Sequence, residues 1–542
     1  MSLRTLLSGP HVHNPFILKQ AIEHLYTRVF ELRDASNTHS SHDLFRAFMI
    51  MAIGSVTLYR RGLYGSHPFG FYTAAMRHFD DKFLANGIEA IQDLLLIGRF
   101  GIYYHIGTSI WEITHLCIRM CIEHGLHKGS AGHSDLLGEQ LRRRVFWECY
   151  MIDRYSSNTL HRPFSIAERD ITTGFPADAN DEAIVAAQQI FPDLDTFRAA
   201  HTPSGLSEMS VFFLCIRLRQ IVSRIHSEFS KLAETTKRNG FETFLLTGKI
   251  CQTVDGFFQD LDEWRSGAPL IQTPRSLYES QDWFDLLHFR ERLILVRKAV
   301  DFVPKRNGIP PAHLLNQCLE CATSIIRLYS RLFQQGSITY TRSYFQMIFT
   351  AGLSVMFCVT ASKELRQPPV QETLRLCGET LRTMATKLPD AMHYVAVYEA
   401  LHRNVERKWN LVSLRPSPTP HAADVGRDPP ALDLEPLGTS GPSIITAHQP
   451  ELPLEMQVGR ITPRQNHTSQ LGFSHDQPQE GWFSLAQDGS EGLQQDSFLA
   501  DDPLQWGFLN DDIFWNMEAG LGEYAYGHAD PSIARAFDFP DL

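Results

Sequence analysis

The sequence predicts an all-α protein: a multi-helix bundle in two helical halves, followed by a disordered acidic C-terminal tail. Three observations predict it. Apolar residues recur at helical spacing in segment after segment up to about residue 412. Strand-like alternation closed by hairpin turns is scarce over the same range. Beyond Trp409 and Leu411, Pro416, Pro418, Pro420, Pro429 and Pro430 arrive in quick succession, and periodicity stops. The chain has 542 residues, which exceeds the roughly 250–300 over which one core keeps growing. The body is therefore expected as two parts, 1–180 and 181–412, with 413–542 as the tail.

The elements follow in order. Asn14-Pro15 reads as a helix cap followed by proline in the first turn. Leu18, Ala21, Ile22, Leu25, Val29 and Leu32 then recur at helical spacing. Ser41 is the next cap, ahead of Phe45, Phe48, Met49 and Ile53, and residues 66–85 and 87–104 repeat the pattern. Ile110, Ile113, Cys117, Met120 and Cys121 mark a further helix, with Gly125 in the stop position. A helix over 142–160 is ended by Pro163. Residues 176–206 carry Pro176, Pro192, Pro203 and Gly205 and read as a connection holding one short helix. The second half gives helices near 207–236, 241–265, 276–304, 312–334, 338–363, 369–387 and 390–411. No fixed-period repeat supports a solenoid.

Charge is unevenly distributed. Residues 413–542 have a net charge of −15 against −11 for the whole chain, which leaves +4 on residues 1–412. Neither part has the positive field that holding nucleic acid requires. The nine cysteines are scattered, mostly through apolar helical stretches, and imply free thiols in a reducing compartment. Ser343–Ser362 contains no charged residue, but it carries Gln346, Thr350, Ser354 and Thr360. It reads as a buried core helix rather than a membrane span.

The most specific stretch runs from Arg142 to Pro176. It opens Arg-Arg-Arg-Val-Phe-Trp-Glu-Cys-Tyr-Met-Ile-Asp-Arg-Tyr and closes, after His161-Arg162-Pro163, with Asp170-Ile-Thr-Thr-Gly-Phe-Pro176. Phe146, Tyr150, Asp153 and Ser157 share one helical face. Arg142, Arg143 and Arg144 allow two readings: a DNA or nuclear-import patch, or ion pairs that lock a helix end. Contiguous arginines point in different directions and no further basic residue extends them, which favours the lock.

This run resembles the signature of the middle homology region of fungal zinc-cluster transcription factors. The residues that carry the resemblance there are Phe146, Trp147, Tyr150, Asp153, Arg154, Arg162, Pro163, Asp170 and Pro176, with the three arginines before them. Upstream, Trp111, Arg119, Gly125 and His127 are similar to the helix preceding that signature. The likeness covers about residues 15–180. One departure is His161, where the family usually has glycine; if that glycine serves a positive φ, His161 must adopt it. The resemblance implies an all-helical body used for homo- or heterodimerisation, regulation and sometimes effector sensing, in a nuclear protein. It also implies zinc only in an N-terminal six-cysteine cluster, whose ligands this sequence lacks. DNA contact is then expected only through missing sequence or a partner.

Other chemistry is weakly signalled. Cys318-x2-Cys321 stands alone in an apolar helix and does not make a zinc cluster. His11-x-His13 and the trio His124, His127 and His133 read as exposed or capping histidines. No nucleophile elbow, zinc-protease motif, phosphate loop or dinucleotide fingerprint occurs, so an enzyme is not expected.

The tail has its own pattern. Residues 471–542 carry 14 acidic residues against one basic, Arg535, with twelve aromatics among them. The candidate activation residues are Phe498, Leu504, Trp506, Phe508, Leu509, Ile513, Phe514, Trp515, Phe537 and Phe539. Mutual repulsion of the acids keeps the rings from collapsing inward and leaves them free for coactivator grooves. A short amphipathic helix near 508–518 is expected on contact. A merely solubilising tail would explain the charge but not the aromatics. The resemblance, with this tail, implies a pathway-specific fungal transcription activator of a metabolic or secondary-metabolite gene set. The alternative is a cluster-less helical interaction or sensor protein that scaffolds or sequesters related regulators without touching DNA. A cavity between helices would serve such a sensor.

Overall fold

A computed structural model describes residues 14–31, 39–80, 82–129, 135–201, 205–239, 243–413 and 521–527. All of them fall in one compact unit, formed by residues 1–415 and 504–542. The candidate activation residues, from Phe498 to Phe539, and the helix expected near 508–518 lie outside the described residues.

The described residues form helices and no β-strand, beyond one isolated bridge between Arg306 and Ile309. The first part holds α1 (Lys19–Tyr26), α2 (Ser41–Arg60), α3 (Pro68–Met76), α4 (Ile88–Gly101), α5 (Ile110–Glu123) and α6 (Leu136–Thr159). Two short helices follow, α7 (Asp181–Ala187) and α8 (Leu194–Ala200). The remainder is α9 (Ser210–Asn239), α10 (Thr243–Ser266), α11 (Gln281–Phe302), α12 (Ala312–Gln334), α13 (Arg342–Ala361), α14 (Pro368–Ala385) and α15 (Met392–Ser413).

Local chemistry fixes the ends. Ser40, one residue before the expected cap, accepts from the Asp43 amide and starts α2. Asp135 accepts from the amides of Leu137 and Gly138 and starts α6 seven residues before the expected arginines. Gly125 stops α5 as expected, at φ +67°, with the Leu126 amide returning to the Cys121 carbonyl at 2.8 Å. Residues 66–85 do not make one helix; they divide into α3 and a single turn, Phe83–Ala85.

Three further expectations are corrected. Asn14 is not a cap: α1 begins at Lys19, and the buried Asn14 amide nitrogen donates to both oxygens of Glu148 at 2.9 and 2.8 Å. The stretch 176–206 holds two helices rather than one. They bury Ile184, Leu194 and Phe197 against Leu136 in a small core of their own. Residues 521–526, within the expected disordered tail, are helical and packed on the body.

The main apolar core is continuous across residue 180. It joins Phe45, Phe100 and Phe146 with Phe212, Phe284, Tyr329, Phe345 and Tyr398. Helix α13 is long and apolar enough to cross a membrane, and most of it is buried inside this core. The chain's free cysteines follow the same rule: eight are buried and Cys251 is partly buried.

Candidate functional site

Helix α6 organises the signature. Two of its three leading arginines are buried: Arg143 and Arg144 have side chains 3% and 2% exposed. Arg143 donates from Nε to Glu139 at 2.9 Å and from both terminal nitrogens to Asp195 at 2.7 Å. Arg144 pairs with the buried Asp181 on α7. Only Arg142 is substantially exposed, near Glu139 at 3.6 Å. The arginines are therefore locks inside the fold and offer no basic face.

The loop returning from α6 is held by the rest of the signature. Trp147 donates from its indole to the Gly174 carbonyl at 3.0 Å and stacks on Phe175. Asp153 accepts from the amide of Ser165. Arg154, fully buried, reaches Asp153 at 2.6 Å, Glu168 at 2.9 Å and the Ile166 carbonyl at 2.9 Å, between the rings of Tyr150 and Phe164. Tyr150 donates to Glu168 at 2.8 Å. Burial raises the Glu168 carboxyl, but Ser223, Arg154 and Tyr150 outweigh it and hold the group below its ordinary range. The buried Phe146 fills the core, and the buried His127 accepts from the Thr172 and Thr173 amides through its carbonyl. Pro176 is buried, whereas Arg119, Pro163 and Asp170 are exposed and take no part in this network. His161 stands at φ +53°, in the left-handed region that favours glycine.

Beside α6 lies a cavity of about 880 Å³. Its walls come from α2, α4, α5, α6, α9 and α11 and from the connection between α12 and α13. Seven Arg and Lys side chains line it against two carboxylates, Glu148 and Asp282. Arg290 sits over the Tyr155 ring at 4.6 Å, and Arg219 over the same ring at 4.8 Å. Both pair with the buried Glu291. Burial lifts the Glu291 carboxyl, but the two guanidiniums overcome it and hold it below its ordinary range. Arg99 donates to Glu148 at 2.9 Å. Burial pushes the Glu148 carboxyl up to about 7 against the pull of Arg99 and Asn14. The Nε atoms of Arg60 and Arg99 and the hydroxyl of Ser276 are buried without a hydrogen-bond partner.

One wall comes from the far end of the chain. Ser109 caps α5 and also donates to the Tyr526 carbonyl at 2.9 Å. The Tyr526 ring packs edge-on to Tyr155 at 5.1 Å and lines the cavity. Glu523 pairs with Arg162, whose guanidinium lies over Trp111 at 4.4 Å, and the Trp111 indole donates to Ser157 at 3.1 Å. Tyr524 donates to Asp390 at 3.1 Å beneath Arg342. Leu521 is fully buried. A Cβ at Gly522 would meet the Thr159 carbonyl oxygen at 2.8 Å, so the close approach needs glycine there.

The signature residues thus stabilise one edge of a cavity that sequence reading did not locate. Its signal was present as charged residues inside apolar runs: Arg99 within Leu-Ile-Gly-Arg-Phe, and Arg290-Glu291 within α11. No group of three or more His, Cys, Asp or Glu able to hold a metal occurs among the described residues. His11, His13 and His133 lie outside them.

Residues 7–266 match the fungal specific transcription factor domain. The chain is 22% identical, over 59% of its length, to the positive regulator of purine utilization of Emericella nidulans, covering 35% of that protein. It is 23% identical, over 67% of its length, to Protein STB5 of Saccharomyces cerevisiae, covering 48% of it. It is 24% identical, over 51% of its length, to pyrimidine pathway regulatory protein 1 of the same yeast, covering 29% of it. The chain spans less than half the length of each of these relatives. No solved structure matches it. The domain and the relatives whose names state a role are those of regulators, not enzymes. Over residues 7–266 the chain is thus similar to the fungal specific transcription factor domain, and the named roles of its relatives are regulatory.

Proposed function

We propose that this chain is the regulatory body and activation tail of a pathway-specific fungal transcription regulator that works in the nucleus. The carrying observation is the domain over residues 7–266, with two signature arginines, Arg143 and Arg144, turned inward as structural locks. The named roles of two relatives, in purine utilization and the pyrimidine pathway, favour a metabolic gene set. In this reading the body dimerises with itself or a related chain and the acidic, aromatic tail recruits coactivators. Zinc and DNA contact belong to a six-cysteine module outside this sequence or to a partner. The test is a reporter driven by residues 471–542 fused to a heterologous DNA-binding domain. Activation is expected; silence of an expressed fusion overturns the activator role.

A second reading is favoured by the cavity: a sensor that scaffolds or sequesters related regulators without touching DNA. Stable dimers in cells with no promoter occupancy, measured by chromatin immunoprecipitation, would support it over the first.

A further inference from the structure

We propose that the cavity beside α6 binds an aromatic organic anion, and that Tyr526 makes the chain's own C-terminal segment part of the bound site. The proposal rests on the regulatory role given above to the helical body, and adds the class of ligand and the element that responds.

The sign of the ligand follows from the wall. Seven cationic side chains face two carboxylates there. Of the carboxylates, Glu148 is already engaged by Arg99 and Asn14, and Asp282 by Arg331 at 2.8 Å. A cation would be repelled by the cationic side chains, and a neutral hydrocarbon would offer them no counter-charge.

The body of the ligand follows from the rest of the lining. Tyr103, Tyr155, Tyr278, Trp283, Tyr344 and Tyr526 supply ring faces and edges. Leu94, Ile113 and Met151 add aliphatic surface. Flat rings pack against such walls and against guanidinium planes. A volume of about 880 Å³ lies within the range of small-molecule sites. A polyphosphate would meet too much apolar wall, so a carboxylate on an aromatic frame fits better.

The coupling follows from Tyr526. Its ring is a wall only while residues 521–527 are docked through Ser109, Arg162 and Asp390. A ligand that touches Tyr526 binds the docked state more tightly, and so must raise its population. Occupancy thereby holds the tail segment to the body.

The probe is 1-naphthoate, with 1-naphthalenemethanol as its neutral counterpart, titrated by calorimetry into residues 1–542. Naphthoate is expected to bind at least tenfold more tightly than the alcohol and to slow amide exchange over 521–527. The double variant R99M/E148Q removes one lining guanidinium together with its partner carboxylate, and should lower naphthoate binding about tenfold towards that of the alcohol. Y526A should weaken binding severalfold and abolish the slowed exchange. Equal affinity for acid and alcohol, no binding at millimolar naphthoate, or indifference to both variants overturns the proposal. Loss of naphthoate binding with an active 471–542 reporter removes this site alone. A silent reporter with binding intact removes the activator reading and leaves the site.

Discussion

Arg143 grips Asp195 with both terminal nitrogens at 2.7 Å while its Nε holds Glu139 at 2.9 Å, so one guanidinium ties α6 to the start of α8. The two carboxylates differ in surroundings: the Glu139 side chain is 5% exposed and Asp195 is 58% exposed. Removing the arginine strands a buried charge, whereas removing Asp195 leaves only a solvated partner absent. Arg143→Met should therefore cost about 3 kcal/mol, and Asp195→Asn about 1 kcal/mol or less. Urea unfolding midpoints test the difference. Glu139→Gln combined with Arg143→Met should recover part of the loss, and equal costs for the two single changes would contradict this account.

Two glycines near the site should respond in opposite directions. A Cβ at Gly174 would stand 2.5 Å from an Arg143 nitrogen and 2.9 Å from Asp195. Gly174→Ala should cost about 1–3 kcal/mol by forcing that contact apart. At Gly98, within α4, the nearest atom is a methyl of Ile113 at 3.8 Å. Gly98→Ala should be neutral or gain up to about 1 kcal/mol from helix propensity. Thermal denaturation of both variants checks the contrast.

The tail segment should detach without disturbing the body. Leu521 is fully buried in the apolar core, so Leu521→Asp places a charge among apolar side chains. Residues 521–527 should then exchange their amide hydrogens like an unprotected peptide, while α4, α6 and α11 keep wild-type protection. Hydrogen exchange read by mass spectrometry reports both, and unchanged protection over 521–527 would count against docking.

Much of this fold was legible in the sequence, for a physical reason. Helices α9 to α15 begin and end within a few residues of the apolar runs that predict them, because the residues each helix buries recur at helical spacing. The misses share a cause as well. Asn14 satisfies every local rule for a cap, yet its amide binds Glu148, 134 positions away, and no local rule sees that. Arg99, Glu148, Arg290 and Glu291 stand inside apolar helical runs, and only their distant partners show what they do. The segment Leu-Gly-Glu-Tyr-Ala-Tyr-Gly at 521–527 was hidden by averaging composition over the whole tail. Its two tyrosines between glycines were the available signal.

His161 tests the one departure from the signature. It adopts φ +53°, which side chains with a Cβ resist. His161→Gly should stabilise the body by about 1 kcal/mol. His161→Val should destabilise it by about 1 kcal/mol or more, because a branched Cβ crowds that conformation further. A lower midpoint for the glycine variant would mean that the His161 side chain contributes more than its backbone costs.

Glu148 should leave a pH signature in stability. Its carboxyl is raised from 4.5 to about 7 by burial, with Arg99 and Asn14 pulling the other way. The folded chain therefore holds this proton more tightly than the unfolded chain. The stabilisation is complete below pH 4.5 and drains away as pH rises to about 7. Its size is roughly 3 kcal/mol. His226 works in the opposite sense: burial, aided by Lys298 and Arg154, lowers it to about 4, so its contribution is lost as pH falls from 6.5. The wild-type curve mixes both effects, which makes the variant difference the informative quantity. Glu148→Gln keeps the neutral form at every pH. The wild type should compare best with it near pH 5 and lose ground by pH 8 in urea midpoints. A difference that stays constant between those two values would show that Glu148 is ionised in the fold throughout.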